Sequence, residues 1–148
     1  PISKRLLTGR TESMEARALV SGEPSSHHME LSAIAKLLAG YAYRYGSETQ
    51  LQDGLQRVLE AAGYTVERER VLDAKSRVDL WVGGIVIEVK VGGSFSSALH
   101  QVGRYISHPE VRGVVLASTE RWASDALVDR PAWGGKAFQM LRVRRQTL

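Results

Sequence analysis

The spacing of apolar residues along the chain changes once, near Gly63, from a helical to a strand-like period. Before Gly63 apolar side chains recur every three or four positions, which places them on one face of a helix. This spacing predicts helices over residues 29–45 and 48–62. Ser47 is in place to cap the second helix, and Gly63 to end it in a left-handed conformation.

After Gly63 apolar and polar residues alternate, which predicts strands over residues 65–72, 77–82 and 85–91, with Gly83-Gly84 as a tight turn between the last two. The pattern then predicts a helix over 96–107, an apolar interior strand over 111–118, a helix near 120–128 and a strand over 137–144. This order indicates an α/β fold with a mixed central sheet flanked by helices. A crossover helix follows two antiparallel hairpins and makes the next strand parallel to its predecessor.

Length and composition indicate one core rather than two. The chain has 148 residues, of which 43% are hydrophobic. We expect residues 1–46 to form an N-terminal arm and helix, with a short helical stretch over 12–20, that serves as a homodimer interface. Residues 47–148 are expected to form the main domain. With no cysteine, no secretory signal and no apolar run near the roughly 18 residues of a membrane helix, a cytoplasmic protein without membrane contact is predicted.

Positive charge collects near the end of the chain. There are 20 Lys+Arg against 16 Asp+Glu, a net charge of +4. After Asp129 no acidic residue occurs, whereas five basic ones do: Arg130, Lys136, Arg142, Arg144 and Arg145. This end of the molecule is either a phosphate-facing surface or an ordinary solvated face, and charge alone leaves both interpretations open.

The candidate chemistry lies on the Gly83-Gly84 hairpin. Its predicted register sets Asp79 opposite Glu88, with Cβ atoms about 4.5 to 5.5 Å apart, and Lys90 projects from the same face. The other face carries only apolar residues: Val78, Leu80, Val82, Ile85, Ile87, Val89 and Val91. Two facing carboxylates require a raised pKa, compensation by Lys90 and Arg77, or a bound divalent cation. An exposed salt-bridged surface is the alternative, and a one-residue slip would separate the two acids.

Asp79 together with Glu88-Val89-Lys90 resembles the acid and the (D/E)XK of the PD-(D/E)XK nuclease superfamily. The resemblance covers about residues 47–119. Gln101 and Tyr105, four apart on a predicted helix, are similar to the motif of the RecB-like and Cas4-like branches, and junction resolvases are a further related branch. Val78 stands where many members have proline.

The resemblance implies a restriction-endonuclease-like αβββαβ core and a nuclease that requires Mg²⁺ or Mn²⁺. Asp79 and Glu88 would hold the metal with the carbonyl of Val89, and Glu48 at the first core helix would join them. Lys90 would lie beside the attacking water. Gln101 would position the metal shell, Lys90 or the DNA backbone.

The implied substrate is DNA, cleaved in a structure-directed or nonspecific way by a nuclease of phage, repair or mobile-element type, such as a junction-resolving endonuclease or an end-processing nuclease; RNA is not excluded. Expected nucleic-acid contacts are Tyr105, Arg104, Lys136, Arg142 and Arg144. Purely structural roles stay open for three of these residues. Glu48 is in place as a charge at a helix N-terminus, Gln101 as a solvated side chain and Tyr105 as a packing residue. The competing function is a nuclease-like fold that binds nucleic acid without cleaving it.

Overall fold

A computed structural model describes residues 26–125 and 132–146. The helical stretch predicted over residues 12–20, as well as Arg130, lies outside these ranges. The described helices are α1 (Ser26–Ala39), α2 (Glu48–Ala61), α3 (Phe95–Ile106) and a 3-10 helix (Arg121–Ser124). The strands are β1 (Ala42–Tyr43), β2 (Glu67–Asp73), β3 (Ser76–Val82), β4 (Ile85–Lys90), β5 (Gly113–Ser118), β6 (Ala132–Trp133), β7 (Lys136–Arg142) and β8 (Arg144–Arg145).

The main sheet is mixed, as the sequence predicts, and has the strand order β2-β3-β4-β5-β7-β6. Strands β2, β3 and β4 are linked antiparallel hairpins, and α3 crosses over to make β5 parallel to β4. The strand predicted over 137–144 forms as β7 and pairs parallel to β5, and the short β6, which was not predicted, pairs antiparallel to β7. The fold is therefore mixed α/β, with β4 and β5 in the interior of the sheet.

Two predicted helices are wrong in extent. The first begins at Ser26 and ends at Ala39, not near residue 45, because the chain turns at Gly40 and β1 pairs with β8. Tyr43 folds back over this turn, and its hydroxyl donates to the Leu38 carbonyl at 2.7 Å. The helix predicted near 120–128 starts instead as a single 3-10 helix, since Asp125 has extended backbone and its N–H bonds the Trp122 carbonyl. Residues 126–128 lie outside the described ranges.

The helices cover the two faces of the sheet and form two cores. Helices α1 and α2 pack on one face, and α3 packs on the other. The apolar side of α1 is buried in the first core through Leu31, Ile34, Ala35 and Leu38. Helix α1 lies so close to β5 that a Cβ at Gly113 would stand 2.7 Å from Leu31 Cδ1. A homodimer interface on α1 would therefore use the outer side of this helix, and the homodimer stays a prediction. None of the described helices combines the length and the hydropathy that spanning a membrane requires.

Candidate active site

The β3–β4 hairpin forms as the sequence predicts. Gly83 and Gly84 have φ values of +54° and +97°, the left-handed conformation that a two-residue hairpin turn requires. The register pairs Val82 with Ile85, Trp81 with Val86 and Leu80 with Ile87. These three pairs exclude the one-residue slip that would have separated Asp79 from Glu88.

The side chain of Asp79 bonds the neighbouring strand at the point where the backbone pairing of β3 with β4 ends. Beyond Leu80 and Ile87 no further Cα pair joins the two strands, and Asp79 Oδ2 accepts the N–H of Val89 at 2.8 Å. This bond holds the carboxylate across the two strands at their open end. The strict alternation predicted for β3 fails at the same place, because Val78 lies in the second core while Leu80 lies in the first. Val91, predicted on the apolar face, is 37% exposed.

Glu88 lies in the interior of the sheet, between β3 and β5, and is 1% exposed. Its Oε2 is 3.4 Å from Lys90 Nζ, two residues along the same face. Its Oε1 is buried and has no hydrogen-bond partner among the described residues. The exposed salt-bridged surface considered for these residues is therefore wrong for Glu88.

Burial and neighbouring negative charges raise the pKa values of both acids, and the neighbouring charge is Asp79 for Glu88 and Glu48 for Asp79. Burial raises the pKa of Glu88 to about 8; the negative charge of Asp79 adds to the rise, and Lys90 opposes it. Burial also raises the pKa of Asp79, while the Val89 N–H bond favours its charged form. At neutral pH the protonated form of Glu88 is therefore favoured. A raised pKa of one acid is among the three ways in which, from the sequence, two facing carboxylates can be accommodated, and Glu88 is that acid.

Glu48 reaches the same end of the sheet from the first turn of α2. Ser47 caps this helix as predicted, since its hydroxyl accepts the Gln50 N–H at 3.1 Å. Glu48 Oε2 accepts the N–H of Val91 at 3.3 Å, directly after β4, and its charge contributes to the raised pKa of Asp79. Glu48 thus lies near the two acids, with one of its oxygens already bonded.

No protein-family model, curated protein or solved structure matches this chain.

Gln101 and Tyr105 meet on α3 as their spacing predicts. Gln101 Nε2 donates to the Tyr105 hydroxyl at 2.6 Å, and that hydroxyl donates to the Arg77 carbonyl at 3.0 Å. Tyr105 is 1% exposed, so it is a packing residue, and its predicted contact with nucleic acid is wrong. Burial and, second, the charge of Glu88 raise the pKa of Tyr105, which shows that its hydroxyl lies near the acidic pair.

The predicted basic contacts are dispersed. Lys136 is half-buried and its ammonium group donates to the carbonyls of Ile106 and His108, so its contact with phosphate stays a prediction. Arg142 and Arg144 are exposed and donate to Ser124 Oγ at 3.5 Å and to the Ala39 carbonyl at 3.3 Å. Arg104 is exposed on α3 and lines a shallow cavity of about 330 Å³ beside the β2–β3 turn.

The acidic end of the sheet offers oxygen ligands. Within residues 26–125 and 132–146, no three acidic or histidine side chains are grouped closely enough to hold a metal ion. Two carboxylates and water nevertheless suit Mg²⁺, which keeps several waters and often takes only one or two protein carboxylates. The unpartnered Glu88 Oε1 fits a cation in this way. Glu120 lies near the loop that follows β4, since a Cβ at Gly92 would stand 3.7 Å from its Oε1. Its position just after β5 explains this proximity, because β4 and β5 are parallel and end at the same edge of the sheet.

Proposed function

We propose that this protein is a Mg²⁺- or Mn²⁺-dependent nuclease of the PD-(D/E)XK type, with a restriction-endonuclease-like core, that hydrolyses phosphodiester bonds of DNA. The observation that carries the proposal is the buried Glu88, which has an unpartnered Oε1 and lies beside Asp79 and Lys90. The order α2, β2, β3, β4, α3, β5 supports the fold assignment.

A purely structural role accounts poorly for Glu88. Burying a carboxyl group without satisfying both oxygens is unfavourable, and a well-packed apolar residue is often as stable or more stable in such a place. Asp79 worsens the situation by raising the pKa of Glu88 further. A cation would relieve both costs, because it replaces the proton and neutralises the two facing charges.

Each residue then has a role that follows from its position. Asp79 and Glu88 would hold the cation, with the Val89 carbonyl and Glu48 as further predicted ligands. When bound, the cation supplies a lowered pKa for an attacking water and neutralises charge that develops on the phosphate. Lys90 is 26% exposed, so its ammonium group is accessible to a substrate phosphate and would stabilise that charge. Gln101 would position these groups through Tyr105.

The test is cleavage of plasmid, duplex, single-stranded and branched DNA with Mg²⁺ and with EDTA. We expect Mg²⁺-dependent cleavage that falls by 10²-fold or more in Lys90→Ala, because the charge on the phosphate loses its compensation. Lys75→Ala, at the exposed β2–β3 turn, removes the same charge away from the acids and is the matched control. Cleavage that survives both EDTA and Lys90→Ala would refute this mechanism.

A nuclease-like module that binds nucleic acid without cleaving it is the second candidate. The absence of a three-ligand group among the described residues favours it. The two functions differ in Mn²⁺ uptake, measured by calorimetry on the wild-type protein and on Glu88→Gln. Uptake that Glu88→Gln abolishes supports the nuclease, whereas binding of DNA with neither Mn²⁺ uptake nor cleavage supports the module. Matched DNA and RNA oligonucleotides then identify the substrate class.

A further inference from the structure

A second site candidate is an open cavity of about 600 Å³ between α2, the loop before it and the C-terminal residues after β7. Its volume lies in the range that accommodates nucleotide-sized ligands. We name it the arginine cavity, because three of its lining residues are arginines. The lining consists of Arg44, Tyr45, Gln50, Asp53, Arg57, Arg145 and Gln146.

The arginine cavity uses the outer face of α2. Gln50, Asp53 and Arg57 are three and four residues apart, so they share one side of the helix. The leucines of the opposite side, Leu51, Leu55 and Leu59, are fully buried in the first core. The helix therefore contributes its buried face to folding and leaves the side with Arg57 available for a ligand.

The positive charge in the cavity is largely uncompensated. Asp53 is the one acidic residue of the lining, and it is already paired with Arg68 at 2.8 Å. Arg44 and Arg57 are both exposed, and neither makes an ion pair or a side-chain hydrogen bond within the described ranges. Three like charges around one cavity repel each other, and a bound anion would relieve that repulsion.

Arg145 is preorganised within the same cavity. Its Nη2 donates to the Tyr45 carbonyl at 2.7 Å, and its guanidinium carbon lies 4.7 Å from the centre of the Tyr45 ring. These contacts use one edge and one face of the planar group. A guanidinium has five N–H donors in a fixed fork that matches phosphate oxygens, so donors remain for an anion.

We propose that the arginine cavity binds backbone phosphates of a nucleic acid strand, outside the acidic pair at the end of β3 and β4. The identity of this polyanion rests on the proposed function, whereas the preference for phosphate follows from the three arginines. Because the cavity is open and its arginines come from two separate parts of the chain, it suits consecutive phosphates of a strand better than one small ion.

The test is the salt dependence of DNA binding. The variant Arg44→Gln/Arg57→Gln removes the two arginines that hold no other contact. The single variant Arg57→Gln has a matched control in Arg112→Gln, because Arg112 is an exposed arginine that packs on Gly84 at the far, turn end of the β3–β4 hairpin. Binding of a fluorescent duplex is measured by anisotropy with EDTA present, so that no cleavage interferes, and melting temperatures verify that both variants fold.

Each lost phosphate contact reduces the slope of log K against log salt by about 0.9 on duplex DNA and about 0.7 on single strands. We expect the double variant to lose about 2 units of slope on the duplex, the single variant Arg57→Gln about 1 unit, and Arg112→Gln none. Equal slopes for the double variant and the wild type would overturn the proposal. The proposal would also be overturned if the double variant lost pyrophosphate binding but kept the wild-type slope on DNA, since a small anion would then be the ligand.

This outcome is independent of catalysis. A reduced slope in the double variant, with no cleavage by the wild type, would leave the cavity assigned and the proposed nuclease rejected. Cleavage by the wild type, with equal slopes for the wild type and the double variant, would support the nuclease and reject the phosphate site in the arginine cavity.

Discussion

Replacing Glu88 by glutamine should make the metal-free protein more stable at neutral pH. Glutamine has nearly the same shape as the protonated glutamic acid that the buried pair favours, and it does not titrate. In the wild type Glu88 is 1% exposed, its Oε1 has no partner among the described residues, and Asp79 lies beside it. The substitution removes the charge conflict and leaves the packing in place.

The magnitude follows from the two pKa values. Glu88 has an ordinary pKa of 4.5, which applies in the unfolded chain, and about 8 in the folded protein. Between these values the folded state binds more protons, so wild-type stability falls as pH rises through this window. Below pH 4.5 both states are protonated and the penalty disappears. At 1.36 kcal/mol per pKa unit, the penalty is about 1 kcal/mol at pH 5 and about 3 kcal/mol at pH 7.

Urea denaturation with EDTA at pH 5, 7 and 8 measures this difference. We expect the stability advantage of Glu88→Gln to grow by about 2 kcal/mol from pH 5 to pH 7. Glu30→Gln, at an exposed position of α1, is the matched control for the loss of one carboxylate. A Glu88→Gln advantage that does not change with pH would refute the view that burial and Asp79 hold a proton on Glu88.

Two further pairs of substitutions test the hairpin that brings the acids together. Gly84→Ala should cost about 2 kcal/mol of folding stability and Gly83→Ala about 1 kcal/mol. The difference arises because φ is +97° at Gly84 and a Cβ there would lie 2.9 Å from the Arg112 side chain, whereas a Cβ at Gly83 would meet open space. Urea denaturation of both variants measures the two costs, and the reverse order would contradict the turn geometry. Asp79→Ala should speed amide exchange of Val89 by 10-fold or more, because the N–H loses its acceptor, while Asp79→Asn keeps an acceptor and should preserve protection. Exchange measured by NMR distinguishes the two variants, and equal protection in both would show that the bond to Asp79 is not made.

The hairpin and the mixed sheet could be predicted because short-range rules determine them. Gly83-Gly84 has few alternatives to a two-residue turn, and the turn alone fixes which residues of β3 and β4 face each other. The Ser47 cap and the positive φ of Gly63 are local in the same way. For the same reason Asp79, Glu88 and Lys90 could be placed together without coordinates.

The remaining features depend on contacts between distant parts of the chain. The first helix ends at Ala39 because β1 pairs with β8, about a hundred residues away, and no local signal marks that pairing. Lys136 was predicted at the surface from charge alone, yet it caps carbonyls at the end of α3. The arginine cavity likewise combines Arg44 and Arg57 with Arg145, whose proximity is a property of the fold and not of the sequence pattern.

The position of the acidic pair explains why its charge conflict persists. The last Cα pair between β3 and β4 is Leu80 with Ile87, and there the Asp79 carboxylate replaces backbone pairing by accepting the Val89 N–H. An apolar residue at position 79 would leave that buried N–H unsatisfied, so an acceptor is required at this place whatever the function. No hydrogen-bond acceptor is required at position 88, where an apolar side chain would pack well in the interior of the sheet. Folding accounts for Asp79, whereas Glu88 is the residue that needs a functional explanation, and a bound cation provides one.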